Sequence, residues 1–350
     1  MKKKILRDIS FNLVQVIINQ LCGLAIFYIL SVSLAKSDFG EINWSLAVLL
    51  TTFNILSFGI DQAVIKKIAT GNKADIVFPV YVIHVFFSGF LGYGLLFCCS
   101  FFFEDFFQDH QVLMALGIGK LMVFFSTPFK QLATGMERFK SLLYMSVCSN
   151  ILRSILLVVF AYLNLLSLRS IIIIFIAGDG AEFILCLLIA KYQLRFPVKY
   201  RWHMRNYIDL IRESLPLLGS SIFSTVIARL DWIILGLLAS NIILANYSFA
   251  YKVFEVATVP LLIIAPVLIT RFSRIFQNGI EIADGKRNNL LRLLKLEIII
   301  VCLIALVFNI LWVPIIDRIT SGKYGAINES VVLILSVCMP VLYFNNFLWT

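Results

Sequence analysis

The sequence has 350 residues, of which 60% are hydrophobic and 14% are charged, and its mean hydropathy is +0.93. A soluble domain normally carries about 25% charged residues, so this composition excludes an ordinary soluble protein. The formal net charge of +10 would suit a nucleic-acid partner. However, the basic residues are distributed as in a membrane protein, as shown below, and no nucleic-acid partner is predicted.

The apolar residues form long runs along the chain. A bilayer core about 30 Å thick needs roughly 20 apolar residues for one helical crossing, and the sequence supplies ten such runs. They cover residues 9–34, 42–65, 76–103, 112–129, 141–163, 170–190, 214–238, 247–270, 296–316 and a tenth from 330. The short alternating segments of an outer-membrane barrel do not occur. The runs predict an all-α polytopic membrane protein with ten transmembrane helices.

The basic residues alternate between the loops that connect these runs. If the amino terminus is cytoplasmic, 22 of the 30 Lys and Arg residues lie in cytoplasmic segments and 4 in outside loops. Lys130 is counted among the cytoplasmic residues. This bias follows the positive-inside rule. It predicts a multi-pass membrane protein with a cytoplasmic amino terminus and membrane lipids as partners.

A basic stretch and an internal repeat suggest two lobes. The first and seventh runs open with the related segments ILRDIS and LIRESL, and the second and eighth open with EINWSLA and LANYSFA. An even number of helices between copies makes the repeat parallel. The predicted lobes are 1–192 with six transmembrane helices and 213–350 with four. Residues 193–212 form a basic cytoplasmic linker. Because the second lobe has four helices, it is expected to be truncated.

Enzymatic motifs are missing from the sequence. It contains no phosphate-binding GxxxxGK[ST] loop, no serine-hydrolase elbow and no Gly-rich dinucleotide loop. The three histidines are scattered, and the seven cysteines lie in apolar runs without a CxxC spacing. An enzyme is therefore not predicted, and neither is a metal or a cofactor. Movement of a molecule across the membrane, without ATP hydrolysis by this chain, is the remaining broad class.

Four cations lie at membrane depth in four different runs. Ionisable residues in such positions usually face the interior of a helix bundle or an aqueous cavity. At about 1.5 Å per residue, Lys120 and Arg153 lie roughly 14 and 18 Å from the starts of their runs, near the middle of the membrane. Arg229 and Lys252 lie in the outer part of theirs. These four residues are the candidates for binding an anionic cargo in a cationic cavity.

Four acids are candidates for coupling transport to H⁺ or Na⁺, namely Asp179, Glu182, Asp231 and Glu255. Asp179 and Glu182 carry like charge at i, i+3, so either one is protonated or Arg153, at matching depth, neutralises one of them. Glu255 can instead form a pair with Lys252 on the same helix.

Asp61 and Asp231 differ in their expected surroundings. Asp61 lies near Lys66 and Lys67, where a simple interfacial role is expected. In ARLDWIILG, Arg229 and Asp231 are two residues apart, about 200° around a helix, and cannot face each other. One of them is expected to point at another helix and the other at a cavity.

The first helical hairpin resembles a known family. The segment LAKSDFGEINWSLAVLLTTFNILSFGIDQAVIKKIA, residues 34–69, looks like the first hairpin of the Wzx-like O-antigen flippases. These are a polysaccharide-type branch of the multidrug/oligosaccharidyl-lipid/polysaccharide exporter superfamily. The segment RLDWIILGLLASNIILANYSFAYKV, residues 229–253, is similar to the matching part of the second lobe, and Asp231 falls on the aspartate of the family. Asn246 stands where a Gly usually precedes the tyrosine, here Tyr247.

The resemblance implies a function and its partners. It implies two six-helix lobes in the bacterial cytoplasmic (inner) membrane, a central cationic cavity and alternating access. The cargo would be a polyprenyl-diphosphate-linked oligosaccharide, such as an O-antigen or capsule repeat unit, and other polysaccharide-assembly membrane proteins would be partners. The alternatives are an ion-coupled multidrug exporter of the same superfamily, which should favour an anionic cavity, and a non-transporting membrane scaffold, which would not need unpaired charge at mid-depth.

Overall fold

The computed structural model describes residues 2–71, 74–104, 110–194, 204–256 and 284–349, and these residues are almost entirely helical. Two short turns of helix, Ala190–Leu194 and Ala326–Asn328, lie between longer helices. Residues 241–256 are also helical. The longer helices are α1 Lys2–Ser33, α2 Lys36–Leu56, α3 Ile60–Ala69, α4 Ala74–Phe102, α5 Gln111–Gly135, α6 Phe139–Tyr162, α7 Leu168–Ile189, α8 Met204–Leu238, α9 Asp284–Thr320 and α10 Glu329–Trp349.

The predicted all-α membrane fold is confirmed. Nine helices within the described ranges are long and apolar enough to cross a membrane, and each overlaps one of the predicted runs. The eighth run, 247–270, lies within the described residues only as far as 256. Large apolar side chains on these helices are exposed, for example Phe102 at 82% and Leu238 at 84%. Such surfaces are stable in lipid rather than in water.

The second run is not one helix, and the prediction of a continuous crossing over 42–65 is wrong. Helix α2 ends at Leu56 and α3 begins at Ile60. The backbone between them enters the left-handed region, with φ of 55° at Phe58 and 65° at Gly59. A Cβ at Gly59 would lie 2.6 Å from the backbone nitrogen of Leu218. Glycine is therefore needed both for the turn and for the close approach of α8.

Two helices extend further than the hydropathy suggested. Helix α8 begins at Met204, so the last part of the predicted linker is helical and continuous with the seventh run. Residues 195–203 of that linker lie outside the described ranges. Helix α5 continues to Gly135, which places Lys130 on a helix rather than in a loop. The proposed lobe boundaries stay a prediction.

The described residues fall into two compact units, Met1–Asn241 and Ile242–Thr350. In the first unit, α1 packs on α6, and α7 packs on both α5 and α6. Helix α8 packs on α2, α3 and α4. In the second unit, α9 packs on α10, and Phe254, Val301, Met339 and Tyr343 form a buried apolar cluster.

Candidate functional site

Charged and hydroxyl side chains meet where α5, α6 and α7 pack together. Ser126 and Lys130 on α5, Ser149 and Arg153 on α6, and Asp179 and Glu182 on α7 are three or four residues apart, and this spacing directs each pair to one side of its helix. Five of them are ionisable, and we call them the buried charge network: Lys120, Lys130, Arg153, Asp179 and Glu182. Of these, Lys120 and Lys130 come from α5, Arg153 from α6, and the two acids from α7.

Asp179 lies at the centre of the network and is shared by two cations. Its Oδ1 forms an ion pair with Nη2 of Arg153, and its Oδ2 lies 3.2 Å from Nζ of Lys120. The Asp179 side chain is only 1% exposed. The Arg153 guanidinium also lies over the ring of Phe175, 5.1 Å from its centroid. The predicted neutralisation of Asp179 by Arg153 is thus present in the structure, and Lys120 is a second partner that was not expected.

Glu182, one turn further along α7, has a different set of partners. Its Oε1 forms an ion pair with Lys130 and accepts a 3.4 Å hydrogen bond from the hydroxyl of Ser126. Its Oε2 accepts a hydrogen bond from the Ser149 hydroxyl. The two acids are therefore held by separate cations, which removes the repulsion expected between like charges at i, i+3. In the described residues the network contains three cations and two carboxylates.

Amide groups extend the network to α1. Nη1 of Arg153 lies 3.4 Å from Oδ1 of Asn150, and Nδ2 of Asn150 donates to Oδ1 of Asn19 at 3.0 Å. The polar contacts therefore run from α1 through α6 to α7 and α5. Paired and hydrogen-bonded charges of this kind can be buried in a membrane protein, whereas isolated ones are costly.

Two glycines make room for the ion pairs. A Cβ at Gly119 of α5 would lie 2.7 Å from Oδ2 of Asp179, and a Cβ at Gly178 of α7 would lie 2.6 Å from Cγ of Arg153. Both distances are too short for real atoms. The absence of a side chain at these positions lets the helices approach closely enough for the charges to meet.

A cavity of about 170 Å³ adjoins the network, and Lys120 is the network residue that lines it. Asp61 and Asn54 also contribute polar groups to its wall. The hydroxyl of Tyr81 donates to Oδ1 of Asp61. Asp61 is thus part of the cavity wall, and its expected interfacial role beside Lys66 and Lys67 stays a prediction. The other described residues that line the cavity are Leu50, Phe53, Ser57, Val123, Phe124 and Thr127.

Arg229 and Asp231 contact a tryptophan of their own helix. The Arg229 guanidinium lies over the ring of Trp232, 4.6 Å from its centroid, and Oδ1 of Asp231 accepts a 2.9 Å hydrogen bond from the backbone N–H of Trp232. Arg229 and Asp231 are both half-buried. Their predicted roles in substrate binding and ion coupling stay predictions.

Lys252 and Glu255 form the pair that the i, i+3 spacing allowed. Nζ of Lys252 lies 2.6 Å from Oε2 of Glu255, and the two side chains are 20% and 27% exposed. Both belong to the second unit. The structure therefore brings Lys120, Arg153, Asp179 and Glu182 into one network, while Lys252 and Glu255 are paired with each other. No group of three or more His, Cys, Asp or Glu residues able to hold a metal occurs in the described part of the chain.

One member of the buried charge network and several of its hydrogen-bond partners were missed in the sequence. Lys130 was assigned to a loop, and Ser126, four residues earlier, was not considered. Ser149 and Asn150 were overlooked because hydropathy averages hide single polar residues. The signal was present in the sequence, since Ser149 and Arg153 are four residues apart and therefore lie on one face of a helix.

These features define a multi-pass membrane protein with a charged interior, and solved structures of membrane transporters share the fold. A multidrug resistance MATE family transporter of the MOP superfamily, in an inward-facing conformation, gives a TM-score of 0.71 at 14% identity, covering 96% of this chain and 82% of that one. A MOP superfamily transporter from Pyrococcus furiosus, whose binding pocket is described as having reverse polarity, gives 0.61 at 14% identity, covering 99% and 82%. The Vibrio cholerae MATE transporter VcmN, in a bent form, gives 0.55 at 12% identity, covering 99% and 83%.

The family follows from the sequence match. Residues 5–276 match the family described as polysaccharide biosynthesis protein, and the chain belongs to that family. The expected superfamily is thereby confirmed, and the similarity is to transporters rather than enzymes. Among curated proteins, no sequence matches this chain.

Proposed function

We propose that this protein is a flippase that moves a polyprenyl-diphosphate-linked oligosaccharide across the bacterial cytoplasmic membrane by alternating access. The observation that carries the proposal is Lys120, a cation on the wall of an internal cavity in a member of a polysaccharide biosynthesis family. In this proposal the amino terminus is cytoplasmic, as the distribution of basic residues indicates. Partners are membrane lipids and other polysaccharide-assembly membrane proteins.

The charge network suits a diphosphate. Three cations face two carboxylates in the network, so the network as a whole carries an excess of positive charge. Arg153 is 8% exposed and held by Asp179, whereas Lys120 reaches the cavity. We assign direct phosphate contact to Lys120, and we assign to Arg153 the task of keeping Asp179 charged and in place. Arg229 and Lys252 are further phosphate ligands in the proposal: the guanidinium of Arg229 is a planar, bidentate match to phosphate oxygens, and the ammonium of Lys252 is a compact point charge.

The cavity is too small for an oligosaccharide in this conformation. A volume of 170 Å³ holds a few water molecules, each of which occupies about 30 Å³ in the liquid. Transit of the sugar therefore requires a wider opening. Alternating access provides such an opening on one side of the membrane at a time.

Ion coupling would use the same contacts. Asp179 binds Lys120 at 3.2 Å, so uptake of H⁺ or Na⁺ by Asp179 would weaken that contact and free Lys120 to bind phosphate. Glu182, Asp231 and Glu255 are the other candidate coupling residues. Asp61, which shares the cavity with Lys120, is an additional one.

The proposal is tested in proteoliposomes that contain a fluorescent polyprenyl-diphosphate-linked oligosaccharide. Lys120→Gln removes the charge and should abolish flipping, and Lys120→Arg should retain a part of it. The matched control is Lys140→Gln, which removes an exposed cation on α6 outside the network. Normal flipping by a well-folded Lys120→Gln protein would refute the assignment of Lys120.

A multidrug exporter is the second candidate. It is favoured by Asp61, a carboxylate on the cavity wall, and by the shared fold with multidrug MATE transporters. This candidate predicts efflux of cationic dyes that depends on Asp61 and is insensitive to Lys120→Gln. The flippase predicts no dye efflux.

A further inference from the structure

A polar cleft lies away from the charge network, where the end of α3 and the start of α4 meet the first turns of α8. It consists of two adjoining cavities of about 490 and 370 Å³, whose linings share Lys67, Val77 and Glu213. We call it the α3–α8 cleft. The first cavity is also lined by Ala63, Lys66, Thr70 and Leu217, and the second by Ile76, Asn206, Asp209 and Arg212. By the distribution of basic residues, this end of the helices faces the cytoplasm.

An ion pair crosses the cleft where the two cavities join. Nζ of Lys67 on α3 lies 2.9 Å from Oε1 of Glu213 on α8, and the side chains are 26% and 54% exposed. Such an exposed pair is weak, about 0–1 kcal/mol, and can exchange partners readily. The cleft also holds Lys66 and Arg212, so its cations outnumber its two carboxylates among the described residues that line it.

The first turn of α4 borders the same place. Helix α4 begins at Ala74, and Ile76 and Val77 of its first turn line the cleft. The first N–H groups of a helix have no intrahelical acceptor and attract anions. Lysine and arginine side chains beside a helix N-terminus provide the chemistry that binds phosphate groups.

The Lys67–Glu213 pair is one of several polar contacts that fasten α8 to α2 and α4 as well as α3. The hydroxyl of Tyr207 lies 3.1 Å from Nδ1 of His84 on α4, and the Ser221 hydroxyl donates to Oδ1 of Asn54 on α2 at 3.0 Å. Towards the other end of α8, Nε1 of Trp44 donates to the carbonyl of Ile233 at 3.3 Å. Hydrogen bonds of this kind between helices can break if water or a ligand replaces one of the two partners.

We infer that the α3–α8 cleft is a binding site for the phosphate group of a lipid headgroup at the cytoplasmic surface, with Lys66, Lys67 and Arg212 as its cationic ligands. This inference rests on the proposed function and adds a first, peripheral binding site for the cargo. Phosphate takes Lys67 from Glu213 and thereby breaks the ion pair between α3 and α8. The headgroup is either the diphosphate of the polyprenyl carrier or the phosphate of an anionic phospholipid, which share this chemistry.

The test measures binding of farnesyl diphosphate to the purified protein in phosphatidylcholine nanodiscs. Farnesyl diphosphate carries the diphosphate and a short isoprenoid chain but no sugar. We expect Lys67→Gln and Arg212→Gln each to weaken its affinity about fivefold, since one phosphate contact is lost. Lys140→Gln serves as the control and should bind like the parent. Glu213→Gln should bind more tightly, because the competing carboxylate is gone.

A second measurement follows the distance between α3 and α8. Spin labels at Gln62 on α3 and Ile208 on α8, both exposed positions, should move apart when farnesyl diphosphate binds. In the Glu213→Gln protein they should already be further apart without ligand. Lys67→Arg keeps the cation and should therefore retain both the binding of farnesyl diphosphate and the ligand-induced movement. This result would show that the losses in Lys67→Gln come from the missing cation rather than from a general defect of folding.

The probes separate the sources of the phosphate. Farnesol should not bind, and phosphatidylglycerol in the nanodisc should compete with farnesyl diphosphate only if the site also accepts phospholipid headgroups. Equal losses in Lys67→Gln and Lys140→Gln, or equal binding of farnesol and farnesyl diphosphate, would overturn the inference. Because no sugar and no transport are involved, binding without flipping would uphold the cleft and refute the proposed function, and flipping without binding would do the reverse.

Discussion

Replacing Asp179 by Asn keeps the size of the side chain but removes the negative charge that Arg153 and Lys120 share. Asp179 is 1% exposed, and Arg153 and Lys120 are 8% and 11% exposed, so water does not replace the lost charge. Removing one partner of a buried ion pair costs about 3–5 kcal/mol, because the other charge is left uncompensated. Two cations are left here, so we expect a loss at the upper end of that range.

The matched control is Glu255→Gln, which breaks the Lys252–Glu255 pair. Those side chains are 20% and 27% exposed, so the expected loss is about 0–1 kcal/mol. Unfolding is followed by far-ultraviolet circular dichroism in mixed micelles as the fraction of denaturing detergent rises. The midpoint should fall much further for Asp179→Asn than for Glu255→Gln.

A second substitution distinguishes charge from shape. Arg153→Met in the Asp179→Asn background removes one of the stranded cations, so the double variant should be more stable than Asp179→Asn alone. Exchange of the two charges between positions 153 and 179 should also recover part of the loss. Equal midpoints for Asp179→Asn and Glu255→Gln, or strictly additive effects of the Asp179 and Arg153 substitutions, would refute the account of a coupled buried pair.

Three further predictions concern the backbone and the C-terminal half of α8. Gly59→Ala should destabilise the protein more than Gly71→Ala in the same unfolding assay. Both glycines have positive φ, at a cost of about 1–2 kcal/mol for alanine, but only a Cβ at Gly59 meets nearby backbone. Gly178→Ala should cost about 1–3 kcal/mol, because its Cβ overlaps the stem of Arg153; an unchanged midpoint would contradict this. Arg229→Ala should express normally and lose flipping, while Arg229→Lys should retain part of it and Asp231→Asn should slow transport. Transport by Arg229→Ala at the parent rate would show that Arg229 is not a substrate ligand and makes only a structural contact.

The membrane fold could be predicted from the sequence because hydropathy is a sum over about 20 residues. The break at Phe58 and Gly59 could not be found in this way, since it depends on two backbone torsions within an apolar run. Its signal was the glycine itself, which allows a positive φ and the contact with Leu218. The pairing of Arg153 with Asp179 was predictable because both depths follow from the helical rise.

Other contacts depended on information that the sequence does not contain. Lys120 is in α5 and Asp179 in α7, and nothing in their spacing indicates that these helices approach over Gly119. Lys130 was placed in a loop because the apolar run ends at residue 129, although the helix continues to Gly135. The partners of Glu182 were therefore missed. Helix ends and helix neighbours are set by packing, and a single sequence indicates them only weakly.

We propose that Lys120 binds the phosphate of a lipid-linked oligosaccharide during transport. The most direct measurement is the flipping rate of such a lipid in proteoliposomes that contain the parent protein, Lys120→Arg, Lys120→Gln or Lys140→Gln in equal, folded amounts. The account predicts parent-like flipping by Lys140→Gln, reduced flipping by Lys120→Arg and none by Lys120→Gln. Flipping by Lys120→Gln at the parent rate would contradict it.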